Sequence, residues 1–381
     1  MPAVIVGYVR SPFTPARKGG LARMRPDDVA SIVVKELVER TGIKPELIED
    51  IIVGCAFPEG EQGFNLARMI TFLSGLPNTV GGVTINRFCG SSMQAIHDAT
   101  GRIAMGAGEA FICGGVESMT RIPMTGFNPM PNPELVADYP EAFTSMGITA
   151  ENLAKQRNIS RERQEEFAVE SHQKAASAQA AGSLASEIVA IQTEDGLVEI
   201  DGCIRADTDE ETLSGLRPAF DENGTVTAGT SSPLTDGVAF LLVCSEDFAK
   251  SNGLTPLARI LSSAVSGCDP ELMGIGPVEA SRKALKRAGL ELEDIDLVEL
   301  NEAFAAQSIA VIEELGLDVE KVNLDGGAIA LGHPLGASGA RIIGKAVQLL
   351  QRNGANTALV TMCIGGGQGI ATVLERIDRG E

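Results

Sequence analysis

The sequence predicts an α/β protein that is built from two similar halves, with a further subdomain inserted into the first half. The first observation is composition: only 4% of the 381 residues are aromatic, Trp is absent and Gly occurs 43 times. An aliphatic core with many Gly-containing turns favours alternating strands and helices over a β-sandwich. The second observation is that segments near the two ends of the chain repeat one another at a nearly constant offset. The third is a middle region of different character.

The repeat is clearest in two segments that each read as an amphipathic helix, a Gly that ends it and a buried strand. The first spans residues 27–54 and stops its helix at Gly42, and the second spans 276–300 and stops its helix at Gly289, 247 positions later. Two further pairs keep nearly this offset, namely Cys89 with His333 and Cys113 with Cys363. Three pairs in one order indicate an internal duplication of a single structural unit.

These pairs divide the chain into three parts. The first half is expected at residues 1–118 plus 228–254, and the second half at 255–381. Short β-branched runs alternate with helices in both halves, which predicts mainly parallel sheets with crossover helices. Residues 119–227 are expected to form the inserted subdomain, because a Pro- and Met-rich loop there precedes a charged helix that has Ser160 as its N-cap.

Composition also limits the classes of ligand and location. The formal net charge is −20 and no long Lys/Arg run occurs, so we expect no nucleic-acid binding. There is no apolar run of about eighteen residues or more, so no transmembrane helix is predicted. The N-terminus reads as a strand rather than a signal peptide, and the C-terminus matches no peroxisomal or retention signal. Seven cysteines without a C-x-x-C pair argue against a disulfide framework and a thiolate zinc site, so a reducing cytoplasm is expected.

Cys89 is the sharpest candidate for chemistry. It follows an extended run and precedes a segment with helical spacing of apolar residues. A cysteine at the first turn of a helix lies near unpaired N–H groups and the positive end of the helix dipole, which lower its pKa. The same turn offers N–H groups that could stabilise an oxyanion. The alternative is a small buried apolar residue, as most free cysteines are.

A base for such a cysteine has to come from only three histidines. His333 lies in a glycine-rich loop and is the best candidate. His172 lies in a strongly charged helix, where an exposed face is expected. His97 lies two turns beyond the candidate nucleophile on the same helix, where a packing or hydrogen-bonding role is expected.

Two more positions could take part. Cys363 ends an apolar strand and opens the run IGGGQG, in which Gly365 would let a ligand approach the backbone closely. A phosphate-cradling loop or a plain turn is the alternative there. Asn301 also ends a strand, where its amide could orient a water or an oxyanion, or could simply cap a helix. From the residues alone, a cysteine enzyme with a His base is predicted, and acyl transfer and amide hydrolysis both stay open.

Seven motifs, spread in order over nearly the whole chain, resemble those of the thiolase family. This resemblance implies a five-layered αβαβα fold of two similar halves, with a loop subdomain inserted in the first. It implies a coenzyme-A-dependent acyltransferase that needs no metal or permanently bound cofactor and uses coenzyme A as co-substrate. The motifs are NRFCGSSMQA (86–95), GGVESM (114–119), SMGITAEN (145–152), LRPAF…GTVTAGTSS (216–232), NEAFAAQ (301–307), GGAIALGHPLGASGAR (326–341) and MCIGGGQG (362–369).

The resemblance also implies roles for single residues. Cys89 resembles the nucleophile that becomes acylated, and His333 the base that activates it. Cys363 resembles the acid/base that moves the proton at the α-carbon or on the coenzyme A thiol. Asn301, acting through a water, would hold the thioester oxyanion together with His333. The N–H groups of Cys89 and Gly365 would form a second oxyanion hole.

Contacts to the substrate and coenzyme A follow from the same motifs. Ser232 falls where the family contacts the pantetheine arm, Arg205 where a basic residue meets the nucleotide phosphate, and Met146 where the substrate is bound. Acetoacetyl-CoA-specific relatives typically carry His in the position of Ser145. The sequence therefore favours a 3-ketoacyl-CoA thiolase of fatty acid β-oxidation over a biosynthetic acetyl-CoA acetyltransferase.

Other readings remain to be distinguished. A catalytically silent acyl-CoA-binding scaffold should have lost one of the three key residues, and all are present. A ketoacyl synthase should carry two catalytic histidines, whereas a cysteine hydrolase would not release its acyl group to coenzyme A. Symmetric homo-oligomers are the default for such enzymes, so a homodimer or homotetramer is expected, together with partner enzymes of β-oxidation.

Overall fold

The computed structural model of the protein describes residues 2–378. Within this range, no helix is long and apolar enough to cross a membrane. The strands are β1 (Ala3–Arg10), β2 (Thr14–Pro15), β3 (Asp50–Gly54), β4 (Gly81–Ile85), β5 (Ala110–Ser118), β6 (Ile191–Thr193), β7 (Gly196–Val198), β8 (Thr235–Ser245), β9 (Ala258–Gly267), β10 (Leu297–Leu300), β11 (Thr357–Ile364) and β12 (Gln368–Arg376).

The helices fall between these strands and, in the middle of the chain, in the insertion. They are α1 (Pro26–Thr41), α2 (Leu66–Leu73), α3 (Ser91–Ala104), α4 (Pro133–Asp138), α5 (Met146–Arg157), α6 (Arg161–Ala180), α7 (Glu210–Ser214), α8 (Glu246–Ser251), α9 (Gly276–Ala288), α10 (Ala305–Leu315), α11 (Ala328–Leu331) and α12 (Leu335–Asn353).

The strand order shows the duplication directly. The large sheet runs β10-β11-β12-β9-β1-β8-β5-β3-β4, so that β10-β11-β12-β9 in the second half mirrors β3-β5-β8-β1 in the first. The two halves join through a short antiparallel pairing of β1 with β9 at Val4 and Ile5. The helix stops match as well, because Gly42 and Gly289 both take left-handed φ values, of 69° and 70°. The predicted pair of similar halves is confirmed.

The prediction of mainly parallel sheets is wrong. Among the strands of residues 2–378, only β3 with β4, β3 with β5 and β10 with β11 are parallel, while six pairings of the large sheet are antiparallel. The reason lies in the last strands of each half. A tight turn after Ile364 folds β12 back along β11, and β8 returns from the insertion to run antiparallel to both β5 and β1.

Five layers result from where the helices pack. Helices α3 and α12 lie against each other and against strands of both halves. Helices α1 and α2 cover the outer face of the first half, and α9 and α10 that of the second. Side chains alternate accordingly along β5, where Phe111 and Cys113 face the central helices and Ala110 and Ile112 face the outer ones. The predicted αβαβα arrangement is confirmed.

Glycines let the central helix α12 lie unusually close to its neighbours. A Cβ on Gly339 would lie 2.5 Å from the backbone N of Met93 in α3, and a Cβ on Gly115 would lie 1.9 Å from the carbonyl O of Gly336. Both approaches are closer than any side chain tolerates. Backbone therefore packs on backbone where the two halves meet.

The insertion is attached to both halves by buried charges. Arg10 of β1 pairs with Glu187 and Asp201 of the insertion, each at 2.7 Å, and Lys345 of α12 reaches Glu187 at 2.9 Å. Its longest helix, α6, begins where predicted, because the Ser160 hydroxyl accepts a hydrogen bond from the third residue of the helix. The insertion is thus held against the strands and helix that carry the candidate site.

The packing of α12 generates a test with a matched pair of helical glycines. Gly339→Ala should lower the free energy of unfolding by about 1–3 kcal/mol, because the new methyl meets backbone that cannot move away. Gly101→Ala in α3 meets no atom within 4 Å and should stabilise the protein by up to about 1 kcal/mol. Urea unfolding of the two variants measures the difference. Equal stability of both would contradict the backbone-on-backbone packing.

Candidate active site

Cys89 lies on a strained turn between β4 and α3. The turn is a single 3₁₀ turn over Phe88–Gly90, in which Phe88 takes a φ of 43°. A left-handed conformation is costly for a bulky residue and persists only where neighbours enforce it. Here Ser91 enforces it, since its hydroxyl donates to the Phe88 carbonyl at 2.6 Å and accepts from the Arg87 N–H at 2.8 Å. The cysteine is thereby held at the N-terminus of α3.

The thiol of Cys89 is buried and faces two backbone N–H groups, its own and that of Gly365. Both hydrogen bonds favour the thiolate, as expected for a helix start. Burial outweighs them and raises the pKa of Cys89 to about 11. The N–H groups at the helix start thus lower the pKa of this thiol as predicted, but burial, which the sequence does not show, has the larger effect. The thiol needs a base.

His333 lies in the loop between α11 and α12. Its backbone N–H donates to the Thr235 hydroxyl at 3.1 Å, which ties the loop to β8. Its ring Nδ1 lies 2.5 Å from the Ser338 hydroxyl, and its Nε2 lies 3.4 Å from the side-chain N of Asn301. Burial, together with the positive charge of Arg341, lowers the pKa of His333 to about 3. The imidazole is consequently neutral at pH 7 and can accept a proton.

Asn301 and Cys363 end neighbouring parallel strands at the same edge of the sheet. Asn301 follows β10 directly and donates its backbone N–H to Thr361 of β11 at 3.1 Å. It does not cap α10, which begins four residues later with Phe304 in the N-cap position, so the capping alternative is excluded. The side-chain O of Asn301 is buried and has no hydrogen-bond partner among the described residues. Burial, and secondly the charge of Cys89, raise the pKa of Cys363 well above its ordinary value.

A cavity of about 360 Å³ brings the predicted residues together. Cys89, His333 and Cys363 line it, and so do Met146 and Ser232. Its other walls are mostly apolar and include Met119, Met124, Phe143, Phe220, Met273 and Phe304. An apolar cavity with a few convergent polar groups is the usual form of a small-molecule site. It suits a ligand with a long apolar portion.

Of the residues predicted to contact coenzyme A or the substrate, Ser232 and Met146 line the cavity and Arg205 does not. Ser232 donates both its N–H and its hydroxyl to the Ala303 carbonyl, each at 3.0 Å, and so lies on the cavity wall. Ser145 lies next to Met146 on the same wall, at the N-cap of α5. Arg205 is exposed and is not among the residues that line the cavity.

The other two histidines have structural surroundings. His172 is buried, and its Nδ1 accepts the backbone N–H of Arg205 at 3.1 Å, so the predicted exposed face is wrong. The buried side of its charged helix packs against α7, α10 and α11. Burial lowers its pKa to about 4. His97 is also buried, and its Nε2 lies 2.8 Å from the Thr372 hydroxyl, which confirms the predicted hydrogen-bonding role.

Glu117 is a residue of the site that sequence reasoning missed. It is buried at the end of β5, and its Oε2 accepts from the backbone N–H of Ala56 at 2.8 Å and of Gly336 at 2.9 Å. Gln62 donates to its other oxygen at 2.8 Å. Burial raises the pKa of Glu117. The carboxyl thus attaches the loop of His333 to the first half, and the signals in the sequence were its place in the motif GGVESM and at the end of an apolar strand.

Glu302 has a similar role on the other side. It accepts from Ser171 of the insertion at 2.6 Å, from Asn323 at 2.8 Å and from the Ile329 N–H at 3.2 Å. These bonds hold the loop behind Asn301 in place. Among residues 2–378, no group of three or more His, Cys, Asp or Glu side chains is arranged to hold a metal ion.

Comparisons with known proteins agree with this geometry. The family profile described as "Thiolase, N-terminal domain" matches residues 3–247, and "Thiolase, C-terminal domain" matches 254–376. The chain is 51% identical to a 3-ketoacyl-CoA thiolase of Aeromonas salmonicida and 49% identical to one of Bacillus subtilis, each over 98% of this chain and 99% of that protein. The crystal structure of the Bacillus anthracis acetyl-CoA acetyltransferase superposes with a TM-score of 0.90 at 40% identity, covering 99% of both chains.

Buried thiols generate a pH prediction. The pKa of every cysteine is raised by burial, to about 11 for Cys89 and Cys268 and about 12 for Cys203 and Cys244. Thiols of the unfolded chain lose their protons near pH 9, whereas the buried thiols of the folded chain keep theirs. Deprotonation therefore favours the unfolded chain, and the contribution of the thiols to the free energy of unfolding is lost as the pH rises above 9. The free energy of unfolding should fall between pH 9 and 11 by at least about 1.4 kcal/mol per pH unit, which corresponds to one proton.

Urea unfolding at several pH values measures this dependence. Cys244→Ala, which removes a buried thiol remote from the cavity, should make the fall shallower by up to one proton. A flat profile between pH 9 and 11 would contradict the burial of the thiols.

Proposed function

The chain belongs to the thiolase family of acyltransferases, and on this premise we propose that it cleaves 3-ketoacyl-CoA with coenzyme A. The products are acetyl-CoA and an acyl-CoA shortened by the acetyl unit, and the reaction is reversible. The observation that carries the proposal is the meeting of Cys89, His333 and Cys363 in one apolar cavity. A thiol nucleophile, a neutral base and a second thiol are the groups that this chemistry requires.

The reaction begins with proton transfer from Cys89 to His333. The thiol is protonated and the imidazole neutral before substrate arrives, because burial shifts both pKa values away from the charged forms. The Cys89 thiolate attacks the C3 carbonyl of the substrate. The oxyanion that forms there accepts hydrogen bonds from the N–H groups of Cys89 and Gly365, which already face the sulfur. Such preorganised donors are each worth a few kcal/mol, about 3 in measured cases.

Cleavage of the C2–C3 bond leaves an acyl group on Cys89 and an enolate of acetyl-CoA. Protonated His333 and, through a water, Asn301 stabilise the thioester oxygen of this enolate. Cys363 donates its proton to C2 and becomes a thiolate. Its position at the end of β11, electrostatically coupled to Cys89, supports this role.

Transfer of the acyl group to coenzyme A returns each catalytic group to its starting protonation state. The Cys363 thiolate takes the proton of the coenzyme A thiol, which then attacks the acyl-Cys89 thioester. Cys89 leaves as a thiolate and recovers its proton from His333. No electrons are gained or lost, so coenzyme A serves as co-substrate and we propose no resident cofactor.

Coenzyme A binding is proposed along one wall of the cavity. Met146 and Ser232 lie on that wall and would contact the pantetheine arm and the acyl portion. Arg205 would meet the nucleotide phosphate, since it is exposed and positively charged in a chain with a formal net charge of −20. Because it lies outside the cavity, its role concerns the distal end of coenzyme A alone.

The substrate range is proposed to extend beyond acetoacetyl-CoA. The cavity holds about 360 Å³ and its walls carry several methionines, whose flexible side chains adapt to different occupants. Ser145 stands on the cavity wall where His is expected in acetoacetyl-specific relatives. Relatives at about half identity bear the name 3-ketoacyl-CoA thiolase. We therefore favour a degradative role in fatty acid β-oxidation over acetyl-CoA acetyltransferase activity.

Assembly and location form a further part of the proposal. The edge strand β4 pairs only with β3 among residues 2–378, and the large apolar side chain of Phe64 beside it is 92% exposed. An open edge beside exposed apolar surface supports a symmetric homodimer or homotetramer. All seven cysteines are free, in keeping with a cytoplasmic location, where enzymes of β-oxidation would be partners.

The division of the chain is proposed as three units. Residues 1–118 with 228–254 form the first half, 119–227 the insertion and 255–381 the second half. The pairing of β8 with β1 and β5 supports the assignment of 228–254 to the first half.

The function is tested by thiolysis assays. We expect coenzyme-A-dependent cleavage of acetoacetyl-CoA and of medium- and long-chain 3-ketoacyl-CoA, with the longer substrates cleaved at least as fast. Loss of 3-ketoacyl-CoA absorbance measures the rate. Activity on acetoacetyl-CoA alone would replace the degradative reading by acetyl-CoA acetyltransferase. Activity on none of them would overturn the proposal in favour of a silent acyl-CoA-binding protein.

The two cysteines are tested as a pair. Cys89→Ala should lower thiolysis by at least about 10³-fold and form no acyl-enzyme, since the nucleophile is gone. Cys363→Ala should still acylate Cys89 when given acyl-CoA but should lose turnover, because no group moves the proton at C2. Mass spectrometry of the intact protein detects the acyl group. Cys113→Ala, the buried cysteine equivalent to Cys363 in the first half, is the control and should keep its activity. Multiple turnover by Cys363→Ala near the wild-type rate would rule out its assigned role.

A further inference from the structure

Both ring nitrogens of His333 are occupied, and the two contacts differ in kind. Nδ1 lies 2.5 Å from the hydroxyl of Ser338, and Nε2 lies 3.4 Å from the side-chain N of Asn301. All three side chains are buried. A neutral imidazole donates from one nitrogen and accepts at the other, so these partners decide which nitrogen carries the proton.

The second hydrogen-bond partner of Ser338 decides which group is the donor between Ser338 and Nδ1 of His333. Its hydroxyl lies 3.0 Å from the carbonyl O of Pro334, one turn earlier in the chain. A carbonyl only accepts, and a hydroxyl has one proton, so Ser338 donates to Pro334 and can only accept from His333. The proton of the neutral imidazole is therefore on Nδ1. The amide N of Asn301 is a donor, which agrees with a lone pair on Nε2.

We infer that Ser338 is a positioning residue for thiolysis, which holds His333 with its proton on Nδ1 and so makes Nε2 the atom that takes the proton of Cys89. The inference rests on the proposed function and adds a residue and an atom to it. In this step the S–H bond of Cys89 breaks and its electrons remain on sulfur. An N–H bond forms at Nε2, while the N–H group at Nδ1 keeps its hydrogen bond to the Ser338 hydroxyl. The imidazolium charge is then stabilised along the hydrogen bonds to Ser338 and Pro334.

An uncharged partner suits this site because of the groups around the ring. Within the described residues, no carboxylate is hydrogen-bonded to the His333 ring. A carboxylate in the position of Ser338 would raise the pKa of the imidazole and so favour its protonated form before the reaction begins. A hydroxyl orients the ring without that effect. The imidazolium then forms only together with the Cys89 thiolate, as one ion pair.

The titratable groups that face this region come from every element around it. Their charges add a constant background that a change at Ser338 leaves unaltered. They are Arg341 of α12, Cys89 on its turn, Cys363 of β11, Glu117 of β5 and Glu302 after β10.

The test is alkylation of Cys89 by iodoacetamide in the full-length protein without coenzyme A. With Ser338→Ala, the imidazolium loses its hydrogen-bonded partner, so the thiolate forms less often. We expect labelling of the Cys89 peptide at pH 7 to slow by about 10- to 100-fold, and the midpoint of its pH profile to rise by about one unit or more. Ser338→Thr keeps the hydroxyl and should recover most of the rate. Mass spectrometry of the peptide measures labelling.

The control is Ser281→Ala. Ser281 is likewise a buried hydroxyl in a helix, but its hydroxyl has no hydrogen-bond partner within residues 2–378 and it lies in the outer helix α9. It should leave both the rate and the midpoint unchanged. An unchanged midpoint in the pH profile of Ser338→Ala would overturn the inference, because loss of a residue with a purely structural role would leave the midpoint unchanged. Failure of the wild-type enzyme to cleave any 3-ketoacyl-CoA would instead overturn the proposed function, since alkylation needs no substrate.

A second measurement needs no variant at Ser338. The protein contains only three histidines, so ¹⁵N-histidine NMR of the wild type resolves their tautomers, with His333→Asn used to assign the signal. We expect His333 to be protonated on Nδ1 at pH 7. Protonation on Nε2 would overturn the inference even if Ser338→Ala does not fold.

Discussion

The structure depends on the close contact of two buried helices, α3 and α12, between the halves of the sheet. Helices approach this closely only where small residues meet, and here Gly339 lies against the backbone of Met93. Ser92 strengthens the contact by accepting the Ala340 N–H at 2.8 Å. The two helices are equivalent elements of a duplicated unit, and they touch near their N-termini, where Ser92 and Ala340 lie. Cys89 precedes one and His333 precedes the other, so the duplication itself brings the two residues into one cavity.

Burial then decides the electrostatic state of that cavity. It raises the pKa of the Cys89 thiol and lowers the pKa of the His333 imidazole, so both groups are uncharged before substrate arrives. Charge separation in a buried cavity is costly unless hydrogen-bonding groups are already in place to stabilise the charges. The N–H groups of Cys89 and Gly365 come from different halves, and Ser338 holds the imidazole. The second half therefore supplies part of the stabilisation that the reactive thiol of the first half requires.

The insertion belongs to this arrangement through buried charges. Arg10, Glu187, Lys345 and Asp325 form a continuous chain of ion pairs from β1 through the insertion to α12. Buried ion pairs add little net stability, but removing one partner leaves an uncompensated charge and costs several kcal/mol, about 3–5 in measured cases. The network therefore mainly fixes the orientation of the insertion relative to β1 and α12. It keeps the insertion, which carries the Met146 side of the cavity, in register with the helices that carry the reactive groups.

Features that depend on neighbouring residues could be predicted from the sequence. The helix stops at Gly42 and Gly289, the turn that holds Cys89 and the duplication all follow from local patterns, and motif order was sufficient for the family and its five layers. Other features depend on the folded chain: strand direction, the burial of His172, the raised pKa of Cys89 and the contacts of Glu117 and Ser338. Burial and hydrogen bonding of these groups arise between segments far apart in the chain. Local periodicity and caps carry no information on which distant segments will surround a residue, and that surrounding sets its protonation state and its partners.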